Sequence, residues 1–110
     1  MITEREDEMT TEPFEVPKNE ELDRVVTFFK AFGDRTRYLI VTILAEGPLT
    51  VNELAERLGI SQPAMSHQLM ILRQAGVVIG QREGRYVYYQ LTDHHVLTIL
   101  RQVQAHASQG

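Results

Sequence analysis

The stretch LAERLGISQPAMSHQLMILRQAGVV, Leu54–Val78, decides the fold. Its apolar residues form two short patterns of helical period. Val51, Leu54, Ala55 and Leu58 give the first, and Met65, Leu69 and Leu72 give the second. Gly59-Ile60-Ser61 separates them, with Ala55 four residues before Gly59 and Met65 six after it. This is the spacing of a helix-turn-helix. A small residue lets two helices cross closely, a glycine takes the left-handed turn, and an apolar residue anchors the second helix. Thr50 stands three residues before Glu53, a capping-box spacing, and Ser61 can cap the second helix with Pro63 in its first turn. The second helix then offers Ser61, Gln62, Ser66, His67 and Gln68 to solvent. Short hydrogen-bonding side chains of this kind reach base edges in a major groove. Arg73, near the helix end, suits a phosphate better than a base.

Downstream the pattern changes. Val77 to Arg82 and Arg85 to Leu91 are β-branched and aromatic and are separated by Glu83-Gly84, which predicts a hairpin. A hairpin directly after a helix-turn-helix is a wing, and Arg82 and Arg85 flank the tip where a phosphate backbone would pass. Thr92 then precedes a last helix with Val96, Leu97, Ile99, Leu100 and Val103. Upstream, Leu22, Val25, Val26, Phe29 and Phe32 form a helical stripe ended by Gly33. Asp34 caps the next helix, whose Tyr38, Leu39, Ile40, Ile43 and Leu44 make it the central buried one before Gly47-Pro48 stops it. The expected fold class is mainly α with a β-hairpin wing, a winged helix-turn-helix of order ααααββα. Residues 1–18 are acid-rich, contain Pro13 and Pro17 and have no apolar period. They read as an acidic flexible N-terminal arm, with residues 19–110 as the DNA-binding and dimerisation domain.

Composition narrows the function. A chain of 110 residues supports one core, and zero cysteines exclude disulfides, thiolate nucleophiles and thiolate metal sites. The longest nearly apolar run, Tyr38 to Ala45, is too short to span a bilayer, and the acidic N-terminus is unlike a secretory signal. The expectation is a cytoplasmic protein with no membrane partner. No nucleophile–base pair or phosphate loop occurs, so an enzyme is not expected. The net charge of −4 is uneven: residues 1–21 hold eight acids and two bases, leaving the body with seven acids and nine bases. A body at +2 permits DNA without requiring it.

The stretch FFKAFGDRTRYLIVTIL (residues 28–44), the segment quoted first and the wing GQREGRYVYYQL (residues 80–91) together resemble ArsR/SmtB repressors over about residues 20–107. The resemblance implies a homodimer that binds an operator palindrome in double-stranded DNA and releases it on binding an inducer, often a metal ion. The family's thiolate sensor lies around the first helix of the helix-turn-helix, which here reads PLTVNELAE. Thr50, Val51 and Asn52 offer no soft donors, so that route is excluded.

The last helix offers another site. His95 and His106 are eleven residues apart, so they face within about 20° of each other but stand roughly 16 Å apart along the axis. Ligands of one ion sit about 3–4 Å apart, so one chain cannot close this site. Two antiparallel copies bring Asp93 and His95 of one chain beside His106 of the other, with two sites per dimer and Leu97, Ile99, Leu100 and Val103 as the seam. The zinc- and cobalt-sensing branch that the chain resembles has the same aspartate–histidine pair and two further histidines. Asp93, His95 and His106 match three of these positions, and Gln109 stands at the fourth. A neutral amide is a poor zinc ligand, so a water or the Gly110 carboxylate is a candidate fourth donor. His94 faces about 100° away and serves only if the helix start frays. The donor set suits Zn(II) as inducer, with Co(II) or Ni(II) as alternatives. A second reading keeps the repressor and drops the metal, Gln109 being its support; a third is a protein-docking winged helix without salt-dependent DNA affinity.

Overall fold

The computed structural model describes residues 14–109, so Gly110 and most of the expected acidic arm lie outside it. Among the described residues the order is α1 (Asn19–Phe32), α2 (Arg35–Leu44), β1 (Leu49–Thr50), α3 (Val51–Leu58), α4 (Gln62–Gln74), β2 (Val78–Glu83), β3 (Tyr86–Leu91) and α5 (His94–Gln109). Local chemistry sets most boundaries. The Arg37 amide donates to Asp34 Oδ2 at 3.0 Å, capping α2. Thr50 and Glu53 form the reciprocal capping box at 3.2 and 2.8 Å. The Ala64 amide donates to Ser61 Oγ at 3.2 Å, which starts α4 with Pro63 in its first turn.

Between α3 and α4, Gly59 adopts φ 69°, and the Ile60 amide donates back to the Ala55 carbonyl at 3.1 Å. A Cβ on Gly59 would meet no atom within 4 Å, so only backbone strain opposes a side chain there. Gly59→Ala is therefore expected to cost about 1–2 kcal/mol of stability. Urea denaturation at fixed protein concentration measures it, and an unchanged midpoint would show that the turn tolerates an L-residue.

The core gathers Ile40, Val41 and Leu44 of α2, Leu54 and Ala55 of α3, and Met65, Leu69 and Leu72 of α4, closed by Val77, Val78, Val96 and Leu100. Most of these side chains belong to the expected inner faces and α2 is central as its wide apolar arc implies, but on α2 Val41 is buried without having been expected and Leu39 of the expected set is exposed. No polar or charged residue is buried among the described residues, so stability rests on apolar burial.

Two features differ from the sequence expectation. Leu49–Thr50 forms a strand that pairs antiparallel with β3, giving a three-stranded sheet of order β1-β3-β2. Two residues after Gly47-Pro48 are too few to show a period-two pattern. The wing turn is Gly84-Arg85, one residue later than expected, because Glu83 pairs with Tyr86. Gly84 has φ 64° and no described non-glycine residue, Arg85 included, has positive φ, the pattern of a type II′ hairpin turn. Most of the stripe on α1, whose direction its period leaves open, is turned outward, as dimerisation through the first helix would require. Ala31 is the buried residue of α1 and Phe28 and Phe32 pack against the core, whereas Leu22, Val25, Val26 and Phe29 are exposed.

Candidate nucleic-acid interface and metal centre

The helix-turn-helix and wing bring most of the predicted DNA residues to the surface. Ser61, Gln62, Ser66, His67, Arg73, Arg82 and Arg85 are all exposed. At about 100° per residue, Gln62, Ser66 and Arg73 fall within about 40° of one another on α4. Gln62 at the start of α4 and Arg85 at the wing tip line one open groove of about 550 Å³, together with Asn52 and Tyr86. Tyr86, 55% exposed beside Arg85, is a surface residue that the sequence reading did not single out. Alternation along the wing was its only signal.

Gln68 departs from the expected solvent-facing set. It is half-buried, and its Oε1 accepts a 3.0 Å hydrogen bond from Arg37 Nη1. On α4 it lies about 120–160° from Gln62, Ser66 and Arg73, on the flank toward α2. Arg37 was not identified from sequence, because its partners lie six, seven and thirty-one residues away.

A second surface is apolar. Leu22, Val25, Val26 and Phe29 of α1 and Val103 of α5 are each 39–63% exposed. Two hollows flank Phe29. One, of about 320 Å³, is lined by Phe29, Phe32, Gly33, Tyr38, Ile99, Leu100 and Val103. The other is lined by Val25, Phe28, Phe29 and Ile99 with Glu21, Arg24 and Ala75 at its edge. The seam expected on α5 is narrower than its sequence suggested. Leu100 is 3% exposed and belongs to the chain's own core, Leu97 and Ile99 are half-buried, and Val103 is free.

The metal candidates sit at both ends of α5. Asp93 Oδ1 accepts from the His95 amide at 2.9 Å, capping the helix, and lies 3.3 Å from His95 Nδ1. Desolvation, the largest single influence, pushes the Asp93 carboxyl up, but the hydrogen bonds and charge of His95 together with the Val96 amide outweigh it and hold the group below its usual value. Asp93 is thus a carboxylate with a lone pair beside an exposed imidazole. His94 stacks on His95 with ring centroids 4.5 Å apart. His106 and Gln109 are exposed in the last turns. His95, Ile99, His106 and Gln109 share one face of α5, so the donors bracket the apolar residue that lines both hollows. Within one chain, no three His, Cys, Asp or Glu side chains among the described residues gather as an ion would require. The Gly110 carboxylate lies outside the described residues. No described helix is long and apolar enough to cross a membrane.

Comparison with known proteins gives a consistent picture. Residues 34–79, from the α2 cap through the start of β2, match the bacterial regulatory protein, arsR family. The chain is 42% identical over 84 residues to the HTH-type transcriptional regulator NmtR of Mycobacterium tuberculosis, covering 76% of this chain and 70% of the relative. It is 41% identical over 93 residues to the HTH-type transcriptional repressor SmtB of the same organism, covering 84% and 69%. A homodimeric winged helix-turn-helix DNA-binding domain from Mycobacterium bovis superposes with a TM-score of 0.81 at 28% identity, covering 89% of this chain and 91% of that one.

Proposed function

Because the chain belongs to the arsR family of bacterial regulatory proteins and is a transcriptional repressor of the ArsR/SmtB type, we propose that it acts as a metal-released homodimer. The dimer reads a two-fold operator in double-stranded DNA in the cytoplasm and lets it go when a divalent ion, most suitably Zn(II), binds between subunits. The observation that carries the metal half is the shared face of α5. His95 at one end and His106 at the other lie on the same side as Ile99, next to the exposed apolar residues of α1, and Asp93 Oδ1 stands 3.3 Å from His95 Nδ1. An isologous contact through that face places the start of one α5 beside the end of its partner.

The DNA half assigns roles by reach and chemistry. Ser61, Gln62, Ser66 and His67 read base edges from α4, whereas Arg73, Arg82 and Arg85 hold phosphates. Gln62→Ala or Ser66→Ala is expected to lower the preference for the operator over random duplex by about tenfold, at unchanged salt dependence. Arg82→Ala or Arg85→Ala should weaken both duplexes alike and flatten the logarithmic salt slope by about 0.9 per contact. Fluorescence anisotropy over a salt series separates the two classes. Sequence choice that depends on the wing arginines and ignores Gln62 and Ser66 would reverse the assignment.

The donor set suits a borderline ion: a carboxylate and two imidazoles, with water or Gln109 in the fourth place. An ion held there supplies a rigid link between the two α5 helices. The chain's own bonds carry that restraint inward. Thr92, next to Asp93, donates its hydroxyl to the Gly76 carbonyl at 2.8 Å, and its amide donates to the Val77 carbonyl at 3.0 Å. The start of α5 is thereby tied to the end of α4. Fixing α5 ends across the dimer fixes the separation of the two α4 helices, and a separation that mismatches successive major grooves lowers operator affinity. Such a coupling is typically about 1–3 kcal/mol per linked event.

One feature favours a repressor without a metal signal. Gln109 occupies the fourth donor position, and Asp93 already serves α5 as its cap. Zinc titration of operator-bound protein distinguishes the two: release supports the metal-responsive form, and retention at saturating zinc supports the other.

A further inference from the structure

We infer that Arg37 is a positioning residue that couples α1 to the recognition helix, and that Gln68 is its anchor on α4 rather than a reader of bases. This rests on the assignment of base reading to α4. Arg37 occupies the first turn of α2, where its amide caps the helix on Asp34 Oδ2. Its side chain is 17% exposed and reaches in two directions. Nε donates to the Ala31 carbonyl at 3.0 Å, and Nη2 lies 3.4 Å from the Lys30 carbonyl. Both carbonyls belong to the last turn of α1, where helical partners run out and a cation meets the negative end of the helix dipole. Nη1 donates to Gln68 Oε1 at 3.0 Å. One planar guanidinium therefore ties the end of the helix that carries Phe29 to the middle of the helix that carries Ser66.

The chemistry fixes the roles. Arginine only donates, so the Gln68 amide must turn its oxygen toward Arg37. That orientation and the flank it lies on remove Gln68 from two-point contact with a base, which needs amide oxygen and nitrogen on the same edge. The bridge also has a functional consequence. A change in packing of the outward α1 face shifts the carbonyls of Lys30 and Ala31, and Arg37 passes the shift to α4 independently of the Thr92 tie at the other end.

The test uses the full chain, a duplex selected from a random-sequence pool by the wild type, and a scrambled duplex of equal length. Gln68→Met keeps the volume and removes the acceptor; about tenfold of the preference for the selected duplex should be lost. Gln68→Glu keeps an acceptor for Arg37 and should hold the preference within about twofold. Arg37→Met should match Gln68→Met, and the double variant should be no worse than either single one. Affinity for the scrambled duplex and its salt slope should not move, since the wing arginines are untouched. A residue that only stabilised the fold would instead lower the melting temperature and both affinities together. If Arg37→Met does not fold, the two Gln68 variants decide the matter alone. A Gln68→Glu protein with a new base preference at one operator position would make Gln68 a reader and overturn the inference. So would an unchanged preference in Gln68→Met, or a double variant whose loss is the product of the single losses. Unchanged preference in Gln62→Ala and Ser66→Ala overturns the base-reading role of α4 itself, and with it this inference.

Discussion

Calorimetry should show tight zinc binding by the wild-type dimer and at least a hundredfold loss in His95→Ala and in His106→Ala. Either change leaves one imidazole at each site, and zinc sites with three protein donors depend on each of them. Both residues are exposed, so neither substitution opens a cavity or strands a polar group. Metal-free operator binding should therefore stay within about twofold. Gln109→His should act in the opposite direction. It adds an imidazole three residues beyond His106, about 60° around the helix, and replaces a weak neutral donor with a strong one. A tenfold or greater gain in zinc affinity is expected. The pH dependence has a defined sign. Imidazoles bind metal only when neutral, so zinc affinity should fall as the medium is acidified. The Asp93 carboxyl, held below its usual value, stays charged to lower pH than an ordinary aspartate. Equal zinc affinity in wild type and His106→Ala would remove the α5 site and leave the metal-independent repressor.

The sequence carried the fold where local chemistry and periodicity agree. Gly59, Ser61, the Thr50–Glu53 box and the Met65–Leu69–Leu72 face act within one or two turns, and each stands where its spacing placed it. The strand at Leu49–Thr50 was not legible, because its reason for existing is the β3 edge nearly forty residues later. The same separation hid Arg37. An arginine in a first helical turn reads as solvated until the carbonyls of α1 and the amide of α4 are brought to it. Gln68 looked like its neighbour His67 in a linear reading, yet one step of about 100° takes it off the exposed face. The α1 stripe was correctly periodic but ambiguous in direction. Period alone does not distinguish a face that packs on the chain's own core from one that packs on another copy. Exposure of Val25, Val26 and Phe29 beside a buried Ala31 shows that this face does not pack on the chain's own core.

That outward face leads to the remaining large effect. Phe29→Asp should convert the dimer to a monomer at micromolar concentration and lower operator affinity by two orders of magnitude or more. Phe29 is 63% exposed in the isolated chain, so the substitution leaves the core of Ile40, Leu54, Met65 and Leu72 intact. Circular dichroism should show unchanged helix content. At a two-fold interface the same side chain is buried twice, so the loss is doubled. Removing one phenylalanine from an apolar contact costs about 1.5–3 kcal/mol, and two such losses weaken association by about a hundredfold to ten-thousandfold. The carboxylates add to this, since each loses water without gaining a partner. The hollows beside Phe29 give the reason to expect a self-complementary fit: a protruding ring on α1 adjoins two apolar recesses that α5 helps to line. Operator binding follows dimerisation because a monomer presents one α4 to one half-site and loses the linked second contact. Zinc binding should fall in the same variant, although Asp93, His95 and His106 are all retained, because their meeting requires the second chain. Sedimentation of wild type and Phe29→Asp without metal, followed by operator and zinc titrations of both, measures all three consequences. A Phe29→Asp protein that remains a dimer would move the seam away from α1. A monomeric Phe29→Asp protein that still binds zinc as tightly as wild type would place the metal donors within a single chain.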